Sequence, residues 1–141
     1  MKKVHAYDVP TDIVREPGAK QVTIRRLIDT PDGADRFLMS LFELGENGAT
    51  PPHYHDWEHE IYVISGSLHV DLPAEGGKRI PLKEGDVVFI PRGEQHGLAT
   101  GPGETARLLL VAPAERPPVR SVFLSKDPYE FSEAVAEDAG Q

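Results

Sequence analysis

The stretches PPHYHDWEHEIYVISG (residues 51–66) and GDVVFIPRGEQHG (residues 85–97) decide how this chain folds and what it can hold. His53 and His55 are separated by one residue, so on an extended segment their side chains share a face. Four residues later His59 opens an apolar run that reaches Gly66, and His96 lies far away in the second stretch. Imidazole nitrogens suit divalent transition metals, and three or more of them converging on one point form a metal site. One isolated histidine reads as a surface or hydrogen-bonded side chain. His-x-His-x3-His with a distant fourth, embedded in turns of fixed length, reads as a site.

Outward from these stretches the chain is a succession of short β-type segments divided by turn residues. Val22 to Ile28 and Phe37 to Leu44 flank Pro31-Asp32-Gly33. Ile61 to Ile64 and Leu68 to Leu72 flank Ser65-Gly66-Ser67, which reads as a tight hairpin. Arg79 to Leu82, Val87 to Ile90, His96 to Ala99 and Arg107 to Val111 follow, with turns at 84–86, 91–94 and 101–103. Such spacing predicts an all-β sandwich or barrel rather than a parallel βαβ sheet. Residues 1–20 mix charge, Pro and Gly, and read as a surface arm able to add an edge strand. Val119 to Leu124 reads as one more strand. Residues 127–139, opening on Asp127-Pro128, read as a short acidic helix. The expectation is a single domain over 1–141, with a barrel core about 20–124 and a C-terminal tail 125–141.

Composition narrows the function. The 141 residues carry 15 Lys and Arg against 23 Asp and Glu, a formal net charge of −8, which opposes binding to nucleic acid. There is no cysteine, so disulfides, thiolate metal ligands and thiol nucleophiles are excluded. Gly and Pro number 13 each, in keeping with many tight turns. The N-terminus has two lysines without an apolar stretch behind them, and the longest apolar run is LLLVA, residues 108–112. A cytoplasmic location, away from membranes, is the expectation.

At these residues the sequence resembles the cupin superfamily. The second cupin motif, Gly-x5-Pro-x-Gly-x2-His-x3-Asn, is matched by Gly85, Pro91, Gly93 and His96, with Thr100 in place of the final Asn. The first, Gly-x5-His-x-His-x(3,4)-Glu-x6-Gly, is matched by His53, His55 and Gly66, with Gly48 one residue closer than usual. Six residues before Gly66 stands His59, and Glu60 is one residue too close. Side chains alternate across a strand, so His59 points inward with Ile61 and Val63 while Glu60 points outward with Tyr62 and Ile64. The four-histidine set His53, His55, His59 and His96 follows from that alternation. The alternative keeps three histidines and recruits Glu60 through a bulge. The string HYHDWEHEIYVISG is also similar to a subgroup of small single-domain cupins with four-histidine sites associated with manganese, and Ala6 to Val9 and the Arg25-Arg26-Leu27-Ile28 strand fit it. The resemblance implies a double-stranded β-helix, or jelly-roll barrel, with a short N-terminal arm, in a homodimer holding one metal per subunit.

Four neutral imidazoles leave the +2 charge of a metal uncompensated and about two octahedral positions open, which makes a Lewis acid. Manganese, iron, zinc, nickel and copper are all compatible. The resemblance favours manganese, and ligand chemistry alone ranks copper, nickel and zinc higher. A metal-dependent oxidoreductase of dioxygenase type acting on a small organic molecule is the first expectation. A non-redox isomerase or lyase activating a carbonyl is the second, and a small-molecule-binding module without turnover is the third. No catalytic acid or base stands out. Tyr54, Asp56, Trp57, Glu58, Glu60, Arg92, Glu94 and Gln95 read as packing, turn or rim residues, and His5 and His69 as ordinary surface histidines. Phe37 and Met39 read as barrel lining.

Overall fold

From His59 to Ile64 the chain alternates strictly between buried and exposed side chains, and the alternation sets the barrel. Ile61 and Val63 are 2% and 0% exposed, whereas Glu60, Tyr62 and Ile64 face outward. A one-residue slip would expose two aliphatic side chains, about 3–6 kcal/mol together, and bury a carboxylate in their place. The pattern therefore fixes the register. The computed structural model describes residues 1–114, Ser121–Leu124 and Glu133–Ala136.

Ten strands follow in order: β1 (Asp12–Ile13), β2 (Lys20–Ile28), β3 (Phe37–Tyr54), β4 (His59–Leu72), β5 (Lys78–Lys83), β6 (Val87–Ile90), β7 (His96–Ala99), β8 (Ala106–Pro113), β9 (Ser121–Leu124) and β10 (Glu133–Ala136). All the pairings are antiparallel. Two long strands, β3 and β4, each pass from one face of the barrel to the other. Their first halves pair with β8, giving the face β1-β2-β3-β8-β4-β6. Their second halves pair with β7, giving β10-β9-β3-β7-β4-β5. The faces enclose one core that includes Ile24, Phe42, Ile61, Val63, Leu98 and Leu108. This is the expected all-β cupin barrel with its N-terminal arm, whose β1 adds an edge strand.

The expected hairpin at Ser65-Gly66-Ser67 is instead the bend of one continuous strand, β4. Gly66 has φ of +83°, and its pairing to β8 shifts register just before it. An extra residue at a left-handed position bends a strand without reversing it. Strand β3 likewise runs ten residues past the expected end at Leu44. Its bend lies at Gly45–Gly48, where the buried Thr100 hydroxyl donates to the Gly45 carbonyl at 2.6 Å and accepts from the Gly48 N–H at 2.8 Å. Thr100, which stands in place of the motif's Asn, thus staples the bulge.

Phe37 is 71% exposed at the start of β3, so it does not line the barrel as expected, whereas Leu38, Ser40, Leu41 and Phe42 are buried. Within the segment expected as a helix over 127–139, Glu133–Ala136 is a strand paired with β9. Here sheet pairing overrides local helix propensity. The rest of that segment, and residues 119–120 of the expected Val119 to Leu124 strand, lie outside the described residues. Among the described residues no helix is long and apolar enough to cross a membrane.

Candidate metal centre

The in–out alternation begins before β4. His53, His55, Trp57 and His59 are 6%, 2%, 4% and 3% exposed, while Asp56, Glu58 and Glu60 are open to solvent and Tyr54 is half-buried. His96 comes from β7, which runs beside β3, and it is the direct cross-strand partner of His53. This register brings two histidines distant in sequence to ring centroids 4.5 Å apart. His55, just past the end of β3, and His59, at the start of β4, are also 4.5 Å apart. His55 and His96 are 5.2 Å apart, and His59 and His96 6.0 Å.

Backbone carbonyls orient three of the rings. His53 Nδ1 donates to Pro51 O at 2.7 Å, His55 Nδ1 to Trp57 O at 2.8 Å and His96 Nδ1 to Glu94 O at 2.8 Å. A carbonyl oxygen only accepts, so each Nδ1 carries the proton and each Nε2 keeps its lone pair. Such outer bonds fix the tautomer a metal needs. In each case the carbonyl lies two residues from its histidine, so the local chain trace itself sets the ring. The indole of Trp57 stacks on His55 at 3.6 Å and 5°. The Gly93 N–H donates to His55 O at 2.9 Å, and Arg92 pairs with Asp56 at 3.3 Å, so the two motif loops are tied together.

Potential ligand atoms of His53, His55 and His96 lie within 4.8 Å of one another, so these three could hold a metal ion. His59 is buried beside them, and Glu60 faces out of the barrel. Burial first, and the neighbouring His53 second, push the His96 pKa down from 6.5 to about 3, against the opposing pull of its bond to Glu94. His96 is thus held as uncharged imidazole. His53, His59 and His96 line a cavity of about 20 Å³ with Phe42, Ile61 and Leu110, room for one water-sized ligand. A larger cleft of about 790 Å³, bordered by Ile13, Thr23, Glu43, Ser65 and Arg107, has no histidine in its lining and lies apart from this chemistry.

The other residues weighed from the sequence take structural places. Trp57 belongs to the core, Arg92 is an exposed turn residue, and Glu94 contributes its backbone carbonyl. His5 accepts from the Tyr7 N–H through Nδ1. His69 is not a surface residue: it is half-buried, with Nε2 3.7 Å from Asp71. Two contributors escaped the sequence reading. Thr100 works through a bulge, and Glu16, from the N-terminal arm, lines the histidine cavity. Glu16 stands before a Pro-Gly pair, a turn signal that carried no hint of where the turn would dock.

A family model described as a cupin domain, Cupin_2, matches residues 40–112, which span both histidine stretches. The solved structure of the polyketide cyclase RemF from Streptomyces resistomycificus is 62% identical, covering 92% of this chain and 90% of that one, with a TM-score of 0.83. The cupin-2 domain Rru_A2000 from Rhodospirillum rubrum is 20% identical over 89% of this chain and 81% of its own, with a TM-score of 0.72, a likeness of fold alone. A probable germin-like protein, subfamily 2 member 5, from Arabidopsis thaliana is 32% identical over 90 residues, 62% of this chain. The chain spans only 42% of the length of that curated relative.

Proposed function

This chain belongs to the Cupin_2 family of cupin domains, and from that premise we propose that it is a metal-dependent polyketide cyclase. It closes a ring in a poly-β-ketone substrate by carbon–carbon bond formation. The observation that carries the chemistry is the convergence of His53, His55 and His96, each held by an Nδ1–carbonyl bond, with potential ligand atoms within 4.8 Å of one another. The substrate class rests on the 62% identity to a polyketide cyclase over 92% of the chain. Of the two chemistries that such a site permits, this favours the non-redox one over the dioxygenase.

His53, His55, His59 and His96 hold the metal in this reading. Five of the six pairs among the four rings have centroids 4.5 to 6.0 Å apart. When bound, the metal supplies Lewis acidity, which polarises a carbonyl and stabilises enolate charge. The chain itself holds His53, His55 and His96 by their Nδ1–carbonyl bonds, packs Phe42, Ile61, Leu98 and Leu110 around His53, His59 and His96, and leaves space for one small oxygen ligand. A β-diketone segment of the substrate offers such an oxygen.

Zinc, nickel, copper, iron and manganese all accept this donor set, and elemental analysis of purified protein assigns the resident one. Homodimerisation through the outer face of β4 and β6, where Tyr62, Val87 and Phe89 are exposed, belongs to the same proposal, with sedimentation as its test. The function is tested with a linear 3,5,7-trioxo thioester and metal-loaded protein under air. Formation of a cyclised product, isomeric or one water lighter, without oxygen uptake supports the cyclase. Oxygen uptake matched to an oxygenated product overturns it in favour of a dioxygenase.

A further inference from the structure

The histidine cavity has one carboxylate among its described lining residues, Glu16. It comes from neither histidine stretch. Anchors on both sides of it in the N-terminal arm set its place. Upstream, Val14 is 6% exposed in the core, its N–H donates to Val22 O at 3.3 Å, and β1 pairs with β2. Downstream, Glu16-Pro17-Gly18-Ala19 close a reverse turn, with the Ala19 N–H donating to Glu16 O at 3.0 Å. Pro17 presets φ at the second position, and Gly18, at φ +83°, supplies the left-handed third position of a type II turn. The turn packs on Pro51: a Cβ on Gly18 would stand 3.4 Å from Pro51 Cβ. Pro51 is the residue whose carbonyl orients His53. The strap that carries Glu16 is therefore seated on the strand that carries the metal-site histidine.

With His59 taken as a metal ligand in the cyclase reading, the remaining described lining offers no other candidate for moving a proton. Thr50 Oγ1 accepts from the Leu98 N–H at 3.0 Å, and Phe42, Ile61, Leu98 and Leu110 are apolar. His53 and His96 hold their Nδ1 protons on backbone carbonyls. We propose that Glu16, in the lining of the histidine cavity, is the catalytic proton-transfer residue of ring closure on a β-dicarbonyl substrate.

The inference rests on the cyclase reading. The Glu16 carboxylate takes a proton from a methylene flanked by two carbonyls, and the C–H electron pair becomes the enolate. The enolate carbon forms a bond to an acceptor carbonyl carbon, whose π pair moves to its oxygen. Glu16 then returns the proton to that oxygen and is again a carboxylate. The β-hydroxy ketone is an isomer of the substrate, so no oxidant or reductant is required, and later loss of water yields the unsaturated ring.

The test compares full-length wild type, Glu16→Gln and Glu16→Asp, each loaded with the same metal, with a 3-oxo thioester in D2O as probe. Metal per chain, melting temperature and α-proton exchange followed by NMR are read together. Glu16→Gln keeps metal and melting temperature, because Pro17 and Gly18 still build the turn, while exchange falls by about 10²–10⁴-fold. Glu16→Asp restores part of the rate. Unchanged exchange in Glu16→Gln, beside fast exchange in wild type, overturns the role of Glu16 and leaves the cyclase reading standing. Loss of metal in Glu16→Gln also overturns it, making Glu16 a ligand. A wild type that accelerates neither exchange nor cyclisation overturns the cyclase reading and this inference with it.

Discussion

Replacing Gly66 with Ala tests how β4 carries His59 on one face and returns to the other. A Cβ at Gly66 would lie 1.9 Å from the Thr105 carbonyl oxygen, backbone that no rotamer change can move aside. Gly85 is the natural control, since it has φ of +90° against +83° at Gly66, yet a Cβ there meets nothing within 4 Å. Left-handed strain costs an L-residue about 1–2 kcal/mol, and this is the whole expected loss for Gly85→Ala. At Gly66 the start of β8 must also retreat by about 1 Å, an overpacking cost of about 1–3 kcal/mol. That retreat stretches the bond from Ser67 N–H to Thr105 O, now 3.1 Å, worth about 1 kcal/mol more. Gly66→Ala is therefore expected to lose about 3–6 kcal/mol, a large part of a typical domain's stability. Urea unfolding of the two variants, read as midpoints at matched slope, measures the difference. Equal losses at the two positions would refute the steric argument for the bend.

Three further outcomes follow from the geometry. The depressed His96 pKa means that the unfolded chain binds a proton which the folded chain refuses, so its stabilisation is complete above pH 6.5 and falls towards pH 3. Urea midpoints of chelator-treated protein should drop by the equivalent of about 1.4 kcal/mol per pH unit between pH 6 and pH 4, and a flat profile there would contradict the burial of neutral imidazole. Trp57, the single tryptophan, stacks on His55 at 3.6 Å, so zinc added to metal-free protein should change its emission and saturate at one ion per chain. Emission indifferent to zinc would remove His55 from the site. Thr100→Val leaves the Gly48 N–H and Gly45 carbonyl without the hydroxyl between them, and thermal or urea unfolding should show a loss of about 1–3 kcal/mol.

The parts of the site legible in sequence are those that depend on local chain geometry. Period-two alternation places His53, His55, Trp57 and His59 on one side and Glu60 on the other without any knowledge of the barrel. Gly85, Pro91 and Gly93 mark a turn whose form is set by the residues themselves. The bends were hidden for a physical reason: GENGATPPH, residues 45–53, reads as a loop, yet it is the second half of β3. Its prolines are tolerated because the pairing with β7 is irregular between Thr50 and His53, where the missing N–H groups break no regular ladder. The same logic misread Ser65-Gly66-Ser67 as a reversal. Glu16 was hidden differently, since its turn is local but its docking on Pro51 is a tertiary fact.

Metal content of wild type, His59→Ala and Glu60→Ala, measured by elemental analysis with competition against a chelator, tests the four-histidine centre most directly. The alternation from His59 to Ile64 predicts one metal per chain in wild type and in Glu60→Ala. It predicts affinity weakened by at least about 10–100-fold in His59→Ala, the range already seen when only an outer partner of a ligand is removed. Metal retained by His59→Ala and lost by Glu60→Ala would contradict the account and put the carboxylate inside the barrel.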